Sequence, residues 1–262
     1  MNEKISKTEM LYTNSVPVDK LPTIDALKLM LRDHEKGILS VRKSLRKIEK
    51  AVKLIYTHLK KNDKSKIIYC GAGTSGRIGV QDGVELYPTF GWPIERLDYI
   101  LAGGKEALTK SIENSEDDVE NAKLVVKNKI FKNSDVVIGL AASGNTKFTG
   151  EILKLASKNG ALTIAISNNP KGYILDQAKI KIILDTKQEV IAGSTRLKAG
   201  TAQKVCLNLL SSMLMIKLGN VKEGQMINLI PANEKLKKRK LMIEKYWKKK
   251  KMNNIKFITM RK

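Results

Sequence analysis

The sequence is poor in cysteine, histidine, proline and aromatic residues, and each shortage closes a class of explanation. Two cysteines, Cys70 and Cys206, form no CxxC pair and no disulfide framework, which fits a reducing compartment. With His34 and His58 they make no zinc-ligand spacing, so no metal is expected. No apolar run approaches the roughly 18 residues of a membrane helix. The longest runs, "VVIGLAA" and "MLMI", are core-sized. The opening "MNEKISKTEM" lacks a continuous apolar segment of the signal-peptide kind, and a cytoplasmic protein is expected.

Acids are scarce as well: 26 Asp and Glu stand against 49 Lys and Arg, a net charge of +23. From Glu234 to Lys262 there are 13 Lys/Arg and 2 acids, a net of +11 in 29 residues. Nearly half of the excess is therefore in the tail, and much of the rest lies on the polar face between Arg32 and Lys66. Aromatics make up 5% of the chain and do not interleave with the basic runs, and no helix-turn-helix or RNA-binding signature occurs. Heavy use of Lys, Ile and Asn accounts for the charge, and nucleic acid is not an expected partner.

The 42% hydrophobic and 29% charged residues are those of a soluble globular protein. Residues 1–22 read as irregular, punctuated by Pro17 and Pro22. Thr23 is a plausible N-cap for one or two helices. Ile38, Val41, Leu45, Ile48, Val52, Ile55 and Leu59 then recur at three- and four-residue steps, an amphipathic stripe suited to packing or a dimer surface. Short β-branched runs follow at 66–72, 96–102, 135–142, 161–167 and 180–185, with helix-like stretches near 76–86, 105–128, 147–158 and 170–178. Near-continuous apolar strands alternating with helices predict a parallel sheet covered on both faces. The long segment 195–219 reads as a helix closed by Gly219, and the Lys-rich end has no assigned fold.

"IIYCGAGTSGRIG" carries Gly71, Gly73 and Gly76 directly after the first strand, the spacing of a dinucleotide-binding loop. Such a loop needs an acid at the tip of the second strand. Here that strand ends "LAGGKEA", and Asp98 lies near its beginning. A P-loop fails too, because Arg77 and Ile78 follow Gly76. What the loop offers is the Thr74 and Ser75 hydroxyls with free N–H groups at a helix start, a site for one phosphate. "AASGNT" repeats this after the third strand with Ser143, Asn145 and Thr146. Two such loops on one sheet can converge on a phosphomonoester, and tight turns with Ser/Thr caps would give the same pattern.

"GAGTSGRIGVQDGVELYPTFG", "AGGKEAL", "ENSEDD", "GLAASGNT", "AISNNP", "GSTRLKAGTAQK" and "NEKLKKR" together resemble the successive motifs of the N-acetylmuramic acid 6-phosphate etherases. That family is built on the sugar isomerase (SIS) domain, and the match runs in order from about Thr8 to Arg239. The resemblance implies a three-layer αβα sandwich with a five-stranded parallel sheet, preceded by N-terminal helices and followed by a short basic helical tail. It divides the chain into an N-terminal helical segment, 1–60, a SIS domain, 61–222, and a short Lys-rich segment, 223–262. It implies cleavage of the lactyl ether of N-acetylmuramic acid 6-phosphate to D-lactate and N-acetylglucosamine 6-phosphate, without metal or nucleotide cofactor.

In that chemistry the open-chain aldehyde acidifies the C2 proton, a base removes it, lactate leaves C3, and water adds to the unsaturated aldehyde. By resemblance Glu85 protonates the departing oxygen and later activates water, while Glu116 removes the C2 proton. Read without it, Glu85 is a solvated helix-end acid and Glu116 a solvated or helix-capping charge. The resemblance also puts phosphate on Ser75, Ser143 and Thr146, with Thr74 and Asn145 nearby. Ser194, Thr195 and Lys198 are expected to close the site, the lysine balancing phosphate or lactyl carboxylate. Asn145 stands where the family usually has Arg, Leu86-Tyr87 where it has Cys-Pro, and Gly83-Val84 where it has Ala-Ser. The C-terminal region is expected to be shorter than the family's, and a homodimer is the expected unit. A non-catalytic sugar-phosphate sensor of the glucokinase regulatory protein type, and a phosphosugar isomerase, are the other functions open to such a fold.

Overall fold

A computed structural model of the chain describes all residues except 1–5, 14–15, 130, 232 and 260–262, and describes only the backbone from 251 to 259. The five apolar runs form strands β1 (Ile67–Gly71), β2 (Leu97–Leu101), β3 (Val136–Ala141), β4 (Leu162–Ser167) and β5 (Ile180–Ile183). They make one parallel sheet in the order β2-β1-β3-β4-β5. β1, β3 and β4 are buried along their whole length, as strands covered on both faces must be. The order reverses between β1 and β3, which opens a crevice at their carboxyl ends.

Alternate strand residues divide between two cores. Ile67, Tyr69, Ile138, Leu140 and Ile164 pack against helices α1 (Thr23–Leu59) and α7 (Lys198–Lys217). Ile68, Cys70, Val137 and Ala165 face the other way, onto α4 (Val119–Asn128) and α5 (Lys147–Lys158). Helix α2 (Gly73–Val84) leaves the tip of β1 and packs on α7, and short helices α3 (Leu86–Phe90) and α6 (Tyr173–Asp176) complete the layers. The expected three-layer sandwich is the observed fold.

Several elements differ from expectation. α1 is a single helix of 37 residues, and Thr23 is its first residue while Pro22 holds the cap position. Of the stripe on α1, Val41, Ile48, Val52, Ile55 and Leu59 are buried, but Ile38 and Leu45 are exposed. The span read as a helix from 105 to 128 is helical only as α4. Before it come 3₁₀ turns Gly104–Leu108 and Ser115–Asp117, because Gly103, Gly104 and Asn114 adopt left-handed backbone. Gly219 closes α7 as expected, with φ +85° and N–H bonds from Gly219 and Asn220 to the last turn. β6 (Val221–Lys222) and β7 (Gln225–Met226) form a small hairpin, and the Lys-rich end is helix α8 (Glu234–Thr259). No described helix is long and apolar enough to cross a membrane.

Candidate active site

The crevice between β1 and β3 is an open pocket of about 1200 Å³. The β1–α2 connection is built on close backbone approach. A Cβ on Gly71 would stand 2.9 Å from the Cα and N of Gly76 and 3.1 Å from the Leu140 carbonyl oxygen. Side chains at these two positions would force the helix start away from the strand. Asp98, the acid of β2, sits at the second residue of that strand and pairs with Lys129 at 2.5 Å, far from any role at the strand's tip.

Thr74 and Ser75 in the first turn of α2, and Ser143, Asn145 and Thr146 before α5, all line this pocket. The hydroxyls are not used up as caps. Neither Ala72 nor Thr146, the cap residues of α2 and α5, makes a side-chain capping bond. Ser143 Oγ accepts from the Asn145 N–H at 3.1 Å and keeps its own proton to donate. Asn145 Oδ1 accepts from the Tyr173 N–H at 3.2 Å. Two helix N-termini with free hydroxyls thus face one cavity, the arrangement that holds an oxyanion.

Glu116 lines the same pocket from the 3₁₀ turn Ser115–Asp117. Its neighbour Asp118 takes the helix-capping task, accepting from the Asn121 N–H at 2.8 Å. Glu116 is therefore not a capping charge. Glu85 lies elsewhere. It is the exposed C-cap of α2, and the 12 residues of that helix span about 18 Å from its pocket end. It does not line the pocket of its own chain.

Thr195 borders the pocket with Gly193, whereas Ser194 is not among the lining residues. Lys198, expected to face the anion, does not. Its buried ammonium pairs with Asp33 of α1 at 3.0 Å and bonds the Gln188 carbonyl, beside a separate cavity of about 230 Å³. Lys198 is the first residue of α7, where that helix crosses α1, so its stem lies between the two helices. The α7 N-terminus is occupied as well: the Glu189 carboxylate accepts the N–H groups of Lys198 and Ala199 at 3.1 and 2.8 Å. Burial pushes the Glu189 carboxyl above its ordinary range.

The pocket also contains residues that the sequence reading passed over. Ser6, in the segment read as irregular, donates to the Ser143 carbonyl at 3.1 Å. Thr8 is fully buried, with its hydroxyl accepting from Asn169 Nδ2 at 3.2 Å and its carbonyl accepting from the Gly193 N–H at 3.2 Å. This lacing puts Glu9 in the pocket wall beside Gly193, where a Cβ would meet Glu9 Oε2 at 2.9 Å. Lys147, Glu151 and Tyr173 complete that side, with Glu151 paired to Lys154 at 3.3 Å. Burial, then the nearby Glu151 charge, raises the Tyr173 hydroxyl above its usual range. No local sequence signal marks any of them.

Comparison with known proteins fits this geometry. Residues 112–213 match the SIS domain, and residues 47–157 match the glucokinase regulatory protein N-terminal SIS domain. Fold and pocket together define a SIS-type protein. A solved phosphoheptose isomerase from Francisella tularensis superposes with TM-score 0.53 at 15% identity, covering 75% of this chain and all of that one. A solved Bacteroides fragilis protein, described as a phosphosugar isomerase involved in capsule formation, gives TM-score 0.58 at 20% identity over 78% of this chain and 95% of its own. These show the shared fold. The N-acetylmuramic acid 6-phosphate etherase of Clostridium acetobutylicum is 42% identical over 229 residues, 87% of this chain and 75% of that protein. That of Mycoplasma mycoides subsp. mycoides is 40% identical over 240 residues, 91% and 78% respectively. The chain belongs to the N-acetylmuramic acid 6-phosphate etherase family.

Proposed function

We propose that the protein cleaves the lactyl ether of N-acetylmuramic acid 6-phosphate, a carbon–oxygen lyase reaction that eliminates D-lactate and adds water to give N-acetylglucosamine 6-phosphate. The observation that carries this reading is that Glu116 shares one pocket with the two hydroxyl-bearing loops at Ser75 and Ser143. Phosphate at the loops leaves the other end of a hexose within the same cavity as the carboxylate. Glu116 removes the C2 proton, and the electron pair moves toward the C1 aldehyde. The bond from C3 to the lactyl oxygen then breaks, and that oxygen takes a proton from Glu85. Water activated by Glu85 adds at C3, and a proton returns to C2.

Glu85 reaches this chemistry from the second subunit of a homodimer. Its placement at the far end of α2 supports delivery between chains, and the exposed Val84 next to it favours burial there. A second apolar face exists on α1, where Ile24, Leu31, Ile38 and Leu45 are exposed at seven-residue steps.

Purified protein given authentic substrate should release D-lactate, and in labelled water the product should carry solvent deuterium at C2 and solvent oxygen at C3. Co-expressing Glu85→Gln with Glu116→Gln subunits tests the shared site. Each mixed dimer then holds one intact site, so about one quarter of wild-type activity returns. No recovery above the single variants refutes the shared arrangement. The match to the glucokinase regulatory protein domain favours a second reading, a sugar-phosphate-binding regulator. Tight hexose 6-phosphate binding with no lactate release would establish it instead.

A further inference from the structure

The pocket is acidic in a strongly basic chain. Glu9, Glu116, Asp117 and Glu151 line it, and among the described lining residues Lys147 is the single cation. The substrate of the proposed reaction brings two anionic ends, a phosphate and a lactyl carboxylate. Hydroxyls and helix N-termini suit the phosphate. The carboxylate still needs a positive partner amid four acids.

Three other cations near the pocket are engaged, while Arg196, next to Thr195, is exposed and does not line it. Arg77, from the glycine loop, donates to the carbonyls of Ala107 and Lys110, each at 2.8 Å. Lys7 pairs with Asp185 at 3.5 Å, and Lys198 is buried against Asp33. Lys147 is different. It follows Thr146 directly as the first residue of α5, and its ammonium lies 3.4 Å from Asp117, with both side chains about three-fifths exposed, at 61% and 62%. Asp117 adjoins Glu116, so the ammonium is held on the segment that carries the proposed base. An exposed pair of this kind is cheap to exchange for another carboxylate.

We propose that Lys147 binds the lactyl carboxylate of the substrate, giving up Asp117 for it, and so selects hexose 6-phosphates that carry an acidic ether substituent. The inference rests on the etherase reading and adds to it the group that recognises the leaving acid. The contact holds the lactyl arm next to Glu116 while the C2 proton is removed. It ends when lactate departs, because the sugar product has no carboxylate to keep it.

Two variants of the full chain test this, Lys147→Gln and Lys147→Arg. Lys147→Gln should raise KM for N-acetylmuramic acid 6-phosphate by about 10- to 100-fold, the loss of one charged hydrogen bond. Inhibition by N-acetylglucosamine 6-phosphate, which has the phosphate but no lactyl group, should stay within about threefold, and Lys147→Arg should restore most of the KM. Equal weakening of substrate and product would assign the lysine to phosphate and overturn the proposal, as would no change in either. If the wild-type chain releases no lactate, the etherase reading itself has failed, and calorimetry then judges Lys147 alone. Wild type must bind N-acetylmuramic acid 6-phosphate more tightly than N-acetylglucosamine 6-phosphate, and Lys147→Gln must erase that preference; an absent or persisting preference refutes the role.

Discussion

Replacing Asp33 with alanine should destabilise the protein far more than a surface ion-pair deletion would. Lys198 and Asp33 have side chains 3% and 2% exposed and meet at 3.0 Å between α1 and α7. Without the aspartate, Lys198 keeps only the Gln188 carbonyl, and an unpaired ammonium stays buried between two helices. Breaking a buried pair from one side typically costs about 3–5 kcal/mol. For a chain of this size that corresponds to a fall in Tm of about 10 °C. Adding Lys198→Met to Asp33→Ala should recover most of the loss, because an apolar pair of similar volume carries no stranded charge. Thermal and urea unfolding of the two singles and the double give the cycle. A single-variant loss below about 1 kcal/mol, or a double no better than Asp33→Ala, would refute the buried-clamp assignment. Lost turnover in a fully folded Lys198→Met protein would return that lysine to the chemistry.

Glu116→Gln should lower lactate release by about 10²–10⁴-fold while leaving the thermal midpoint nearly unchanged, as a general base on an exposed turn would. Gly71→Ala should cost about 1–3 kcal/mol in urea unfolding, because its Cβ meets backbone atoms of Gly76 at 2.9 Å. Burial raises the Asp82 carboxyl despite hydrogen bonds from Tyr69, Asn208 and Ser211. The folded chain then holds a proton that the unfolded chain has released, so this contribution is full below pH 3.8 and falls as pH rises through the higher folded value. The stability difference between wild type and Asp82→Asn should therefore move in the variant's favour as pH climbs from 3.8 to the higher folded value and then level off; a difference flat with pH throughout would contradict it. Both cysteines are buried, with the Cys206 thiol pushed up to about 12 by burial, so a thiol reagent should label neither until the protein unfolds.

The sheet was legible because β1 and β3 are apolar throughout and β4 is broken only by Thr163 and Ser167, and only strands covered on both faces tolerate that. The two hydroxyl-bearing loops that line the pocket were legible for a related reason: small residues and hydroxyls fall where an apolar run stops. The α1 stripe was legible as an apolar spacing, but not which of its residues pack inside the chain. Three- and four-residue spacing places Ile38 and Leu45 near the packed face but does not say how wide that face is. The turns before α4 were hidden by the helix-forming residues between Gly104 and Asn114, and by an asparagine, not a glycine, at the second left-handed position. Lys198 was misplaced for a different cause. A lysine in a polar motif at a helix start reads as ligand-facing, and its partner lies 165 residues earlier, beyond any local pattern. The same distance hid Glu9, whose setting depends on Asn169 and Gly193.

The lacing of Ser6 to Glu9 onto the pocket sets an order of assembly. Ser6 contacts a residue 137 positions later, Lys7 one 178 positions later, and the Thr8 carbonyl meets Gly193. These are among the longest loops the chain closes, and such contacts form late in folding. The residues made early on the ribosome must wait for nearly the whole sheet before they can dock. The pocket wall is consequently expected to be completed late, and a tag next to Ser6 is expected to act on the site itself.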